Sequence, residues 1–226
     1  MARYAMSNTL SNVSPGSGGK TAENEQLMGA HPPSAYERWV SLGYEYDPQK
    51  SWYVLRATYG REKKAYDYIV NDGTVAYLPL RYIEKRVLGR KKRILAPLLP
   101  NLLFVYADKS KIDEYVKQTP ELSFLRYYFN HLETDANGTN PPLTIAYSEM
   151  NNFIDVTSVD DTHLKVVDLS QCHFKSGDKV RITGGAFAGV QGYVARVAGQ
   201  QRVVVTIEGL CSVATAYIPT AFIETI

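Results

Sequence analysis

The sequence predicts an α+β chain with two folded domains, and three observations predict it. Between Ser51 and about Ser158, short runs of aromatic and β-branched residues alternate with stretches whose apolar residues recur at helical spacing. From Lys175 onward the helical spacing stops, and short alternating runs are separated by glycines at roughly 8–12-residue intervals. Charge is also segregated: residues 52–131 carry 15 basic and 8 acidic side chains, while 132–173 carry 1 and 7.

Each element follows from its residues. Trp52-Tyr53-Val54-Leu55-Arg56-Ala57-Thr58 is a strand that ends at Gly60. Arg61 to Asn71 places Ala65, Tyr66, Ile69 and Val70 on one helical stripe, and Gly73 stops it. Val75 to Val87 is strand with a bend at Leu78-Pro79-Leu80. Leu98 to Tyr106 is apolar almost throughout, so its strand part is expected to be central and buried on both faces. Ile112, Tyr115, Val116 and Thr119 give a second helix from Ser110 that ends before Pro120. Leu122 to Phe129 is a further strand. Ser148 is positioned to cap a third helix carrying Met150, Phe153 and Ile154. These elements make a mixed sheet with flanking helices.

The expected organisation is therefore a flexible tail over 1–50, an α+β domain over 51–158, a linker over 159–174 and a small all-β barrel over 175–226. The tail is rich in Ser, Asn and Gly, although Trp39, Leu42, Tyr44 and Tyr46 give part of it the means to dock. No apolar run approaches the ~18 residues of a membrane-spanning helix, and the start lacks the apolar core of a secretory signal. Two cysteines in 226 residues exclude a disulfide scaffold. A cytoplasmic protein is the expectation.

The net charge of +2 hides the local field. A polyanion within a Debye length of ~8 Å senses nearby charges rather than the total. The strongest local feature is Arg81-Tyr82-Ile83-Glu84-Lys85-Arg86-Val87-Leu88-Gly89-Arg90-Lys91-Lys92-Arg93, with seven cations against one acid and Gly89 placed to turn a hairpin. It is either a phosphate-contacting arm or a solvated hairpin tip. Exposed tyrosines stack on bases in some proteins, but Tyr66 and Tyr115 sit on apolar stripes and most of the 17 are expected to pack. Cys172-His173 with Cys211 and His163 lacks the paired spacing of structural zinc. No GxSxG, P-loop, GxGxxG or HExxH occurs, and Asp160-Asp161 fits a solvated linker better than a catalytic dyad. No enzyme, cofactor or metal is expected.

Two segments carry a family resemblance. Trp52-Tyr53-Val54-Leu55 through Gly60-Arg61-Glu62, the basic hairpin, and Leu99-Pro100-Asn101-Leu102-Leu103-Phe104-Val105 resemble the NusG N-terminal (NGN) domain. Gly177 to Gly192 resembles a KOW motif, with Ala186 in place of a common Pro and an SH3-like barrel implied. The Pro100-Asn101 step, where general NusG proteins more often have Pro-Gly, looks like the specialised paralogues. Tyr59 to Glu62 and the long tail look most like UpxY-type antiterminators of capsular polysaccharide operons.

The resemblance implies a non-catalytic transcription elongation and antitermination factor. Its NGN domain would dock an apolar patch on the RNA polymerase clamp through Leu99, Leu102 and Phe104. Several relatives have aromatics at the first two of these positions. Arg61, Lys64, Lys117, Lys85, Arg86, Arg90, Lys91, Lys92 and Arg93 would face nascent RNA or non-template DNA. The KOW barrel would hold a ribosomal protein, a termination factor or RNA, with Phe187 either a partner contact or a barrel plug. A KOW-type RNA-binding or ribosome-associated module without polymerase binding is the alternative.

Overall fold

The computed structural model describes residues 44–87, 89–159 and 163–226. The expected tail through residue 43, Leu88 at the hairpin tip and the Asp160-Asp161 pair lie outside the described residues.

Strand β1 (Ser51–Ala57) leads into helix α1 (Glu62–Asn71) and strand β2 (Val75–Tyr77). Strands β3 (Leu80–Val87) and β4 (Arg90–Pro97) form a separate two-stranded ribbon, and the chain returns as β5 (Leu102–Ala107). The first sheet has the order β2-β5-β1-β6, where β6 is Leu125–Tyr127, and β7 (Thr144–Ile145) also pairs with β1. Every pairing in it is antiparallel, which corrects the mixed sheet expected from sequence. The reason is topological: α1 carries the chain across one strand position, and β5 fills the gap running the other way.

Alternation along β1 and β5 fixes two faces. Trp52 and Val54 share a face with Tyr106 and Phe104, their direct partners. Helix α3 (Tyr147–Thr157) covers that face: Phe153 packs on Phe104 with ring centroids 5.5 Å apart, and Thr157 Oγ1 hydrogen-bonds Tyr77 Oη at 2.6 Å. On the other face, Tyr127 donates to Asp113 of α2 (Lys109–Asp113) at 2.9 Å. Tyr115 donates to Asp72, just beyond α1, at 2.6 Å, which ties the two helices together. Tyr66 and Tyr115 are buried, as their stripes predict.

Three local details differ from the sequence reading. The second helix widens into a π-helical turn over Glu114–Gln118, and Asp108 caps its start by accepting from the Lys111 amide at 3.0 Å. The third helix begins at Tyr147 after Ala146, without a side-chain cap from Ser148. Residues 44–50 dock on the body. Tyr44 meets Trp52 edge-on at 5.5 Å, and the Asp47 amide donates to Tyr106 Oη at 2.8 Å.

The last part of the chain supplies strands β8 (Lys165–Val167), β9 (His173–Ile182), β10 (Gln191–Val197), β11 (Gln200–Ile207), β12 (Cys211–Ala214) and β13 (Ile223–Thr225). They form a six-stranded antiparallel sheet in the order β13-β9-β10-β11-β12-β8. Strand β8 arises inside the expected linker and pairs with β12. Asn152 of α3 joins this sheet to the first domain: its Nδ2 donates to Gln191 O at 2.6 Å and its Oδ1 accepts from Gln191 N at 2.7 Å.

Gly192 is a strand residue whose absent side chain lets β11 approach. A Cβ there would meet Val204 O at 2.3 Å and Val203 Cγ1 at 2.8 Å. Backbone cannot yield as a flexible side chain does, so Gly192→Ala is expected to destabilise by about 1–3 kcal/mol. At Gly184 a Cβ would meet the Phe222 ring at 3.1 Å, so Gly184→Ala should cost less. Urea denaturation of both variants checks the ranking.

Candidate functional site

One end of the first sheet gathers the residues singled out from sequence. Strand β1 ends where β5 begins, since Arg56 lies opposite Leu102, and β6 begins opposite Ala57. The β3–β4 ribbon is rooted at the same end, where the Leu98 amide donates to Pro79 O at 2.8 Å. Four chain segments therefore meet there.

Asn101 holds them. Its backbone has φ +63°, a left-handed conformation that Asn tolerates better than most L residues. Its carbonyl accepts the Ala57 amide at 2.8 Å, and its side-chain Oδ1 accepts the Gly60 amide at 2.8 Å. Beside it, Arg61 donates from Nε to Thr58 O at 3.1 Å and lies with Cζ 4.1 Å from the centre of the Phe124 ring. Lys64 Nζ stands 5.7 Å from that ring and is exposed. The two cations expected at the start of α1 thus sit together on one aromatic.

The ribbon carries Lys85, Arg86, Arg90, Lys91, Lys92 and Arg93 on exposed positions. Its register places Lys85 opposite Lys92 and Arg86 opposite Lys91. Like charges directly across a strand pair repel, and little burial is available near the tip to offset that. Two contacts partly relieve it. Lys91 pairs with Glu84 at 3.1 Å, and the Arg93 guanidinium lies 4.1 Å over Tyr82. Lys117 lies apart from these cations in sequence and pairs with Asp113. That ammonium, and then the Tyr127 hydroxyl, hold the Asp113 carboxyl below the usual carboxylate range.

The apolar positions are corrected more strongly. Phe104 has no exposed surface and packs between Tyr77 and Phe153, so it belongs to the core. Leu99 is 7% exposed, also buried. Leu102 is half-buried and alone among the three offers appreciable surface. Phe187, 4% exposed, is also buried, in a turn where Val190 N donates to Phe187 O at 3.1 Å.

Sequence reasoning missed Tyr59, which stands in solvent beside Arg61, and a row of three side chains at the sheet end. Leu102, Arg56 and Arg126 lie side by side across β5, β1 and β6, with both arginines exposed. Only the strand register brings the two arginines together. Among the described residues no group of three or more His, Cys, Asp or Glu could hold a metal. Burial pushes the Cys211 thiol up to about 12, so it stays protonated at neutral pH. No helix among the described residues is long and apolar enough to cross a membrane.

The sheet end thus sets a cationic ribbon beside one half-buried leucine flanked by two arginines. Residues 50–154, from the start of β1 into α3, match the family model described as transcription termination factor NusG. The match supports a NusG-family transcription factor, from a family of transcription factors rather than enzymes. The C-terminal sheet lies outside the matched span.

The arginine row has a stability signature. Replacing Arg56 by Thr removes a like-charge cross-strand neighbour and installs a good strand residue, so Arg56→Thr should stabilise by about 0.2–1 kcal/mol at low salt. The gain should shrink as salt screens the wild-type repulsion. Denaturant midpoints at two ionic strengths check it.

Proposed function

We propose that the chain is a specialised NusG-like antitermination and elongation factor that binds RNA polymerase and promotes processive transcription of a target operon in the cytoplasm. The observation that carries this reading is the convergence of the basic ribbon and the half-buried Leu102 at one end of the matched domain. An exposed leucine edge beside a cationic arm suits a protein that must grip a polymerase surface and an emerging or displaced strand together.

Leu102 is the proposed polymerase anchor, with Arg56 and Arg126 beside it. Arg61, Lys64 and the ribbon cations are the proposed contacts to nascent RNA or non-template DNA. Residues 51–158 are read as the NGN domain and 175–226 as a KOW domain, extended by β8. Its surface is open to a ribosomal protein or a termination factor. The resemblance at Pro100-Asn101 supports a specialised paralogue, and that of Tyr59–Glu62 and the long N-terminal tail supports a UpxY-type member serving a capsular polysaccharide operon.

Two measurements test the proposal. Leu102→Asp puts a charge in the anchor and should weaken retention on immobilised RNA polymerase by about 30-fold, the effect of losing a ~2 kcal/mol interface residue. In reconstituted transcription the wild type should lengthen readthrough products, and unchanged pausing at saturating protein counts decisively against it. Replacing Lys85, Arg86, Lys91 and Lys92 by Gln should lower the slope of log affinity against log salt by about 0.7 per lost single-strand phosphate contact. Tight, steeply salt-dependent RNA binding with no polymerase retention would instead identify an RNA-binding or ribosome-associated module.

A further inference from the structure

We propose that Tyr59 is a stacking platform for one unpaired base of a single-stranded nucleic acid. The inference rests on the nucleic-acid reading of the neighbouring cations and adds to it the form of the ligand.

Tyr59 is 89% exposed, the most exposed of the large apolar side chains described. Its backbone is left-handed, with φ +63°, where a bulky L residue is disfavoured, and Gly60 follows at φ +66°. Folding stability explains neither feature, because the ring is left in water and the backbone is strained. Strain of this kind persists where the surroundings over-determine it, and here they do. The Ala57 and Gly60 amides are held by Asn101, the Thr58 amide donates to Phe124 O at 3.2 Å, and Arg61 is bonded back to Thr58. Tyr59 therefore rides on a turn fixed on both sides.

The ring's neighbour determines what it would receive. The Arg61 guanidinium is 4.1 Å from the Phe124 ring centre and 5.4 Å from that of Tyr59, so a buried ring, a cation and an exposed ring adjoin. A nucleotide supplies both partners for this arrangement: a flat base for the open ring and a phosphate for Arg61 or Lys64. A protein anchor would call for apolar neighbours around Tyr59, whereas the side chain recorded against its ring is the Arg61 guanidinium. Any base offers a π-face, so the platform should be tolerant of sequence and should require an unpaired strand.

The test is fluorescence anisotropy with the full chain and labelled 12-mers of deoxythymidylate and uridylate, a duplex, and single strands carrying abasic sites. Tyr59→Ala should weaken single-strand binding by about 5- to 150-fold, the range measured when a stacked base loses its aromatic. Tyr59→Phe and Tyr59→Trp should bind as the wild type does, and duplex or fully abasic strands should be insensitive to the substitution. The two single-strand arms show whether RNA or DNA is the better source of the base. Tyr59→Gly separates stacking from folding: it relieves the left-handed strain, so its denaturation midpoint should rise while its affinity falls. Equal single-strand binding by wild type and Tyr59→Ala would overturn the platform and leave the cation reading standing. No binding by the wild type would overturn both. Unchanged oligonucleotide affinity with lost polymerase retention would make Tyr59 a protein contact and overturn the proposal.

Discussion

A single asparagine fixes the end of the sheet on which the candidate site is built. Asn101 accepts one amide from the last residue of β1 on its carbonyl and a second, from Gly60, on its side chain. Glycine would supply the left-handed backbone as easily, but it has no side-chain acceptor for the Gly60 amide. Asparagine rather than glycine at this position thus adds a hydrogen bond that clamps the turn leading into α1. Through that clamp the turn carrying Tyr59 and Arg61 is tied to the start of β5, where Leu102 follows directly, while the ribbon root is held separately by the Leu98 amide on Pro79 O.

Much of the fold was legible because its signals are local. The aromatic and β-branched run of β1, the stripe of α1 and the apolar run that becomes β5 each carry their own period. The strand β8 was not legible, because Lys165–Val167 is short and acquires meaning only by pairing with Ser212–Ala214. Antiparallel order throughout the first sheet depends on where β5 inserts, a long-range choice with no local mark. The π-helical turn over Glu114–Gln118 likewise leaves the apolar stripe of the second helix unchanged.

The site was legible in charge and illegible in exposure. Cations announce themselves as surface, and those of the ribbon are surface. Apolar residues announce only that something covers them, and sequence does not say whether that is the protein itself or a partner. Phe104 and Phe187 are both covered from within, Phe104 by Phe153 of α3. Leu102 differs from Phe104 by two positions on the same face, yet it is only half-buried at the first residue of its strand. The left-handed φ that thrusts Tyr59 outward has no sequence mark beyond the glycine that follows it.

The exposed elements also differ in the kind of energy they offer a ligand. On the ribbon, Lys85 faces Lys92 and Arg86 faces Lys91, so an approaching polyanion relieves a repulsion already present. That attraction acts at a distance, is screened by salt and does not depend on the order of bases. Arg61 is the opposite case: bonded to Thr58 and laid on Phe124, it has lost its freedom before any ligand arrives, so contact with it demands position. Leu102 alone is a small anchor, since burying a whole leucine yields only about 1.5–3 kcal/mol and this one is already half-buried. None of the three suffices for tight binding. Held a short distance apart on one clamped sheet end, each raises the effective concentration of the others. On the proposed reading, firm attachment requires the polymerase surface and an unpaired strand to be present together, and that coincidence occurs only on a transcribing complex.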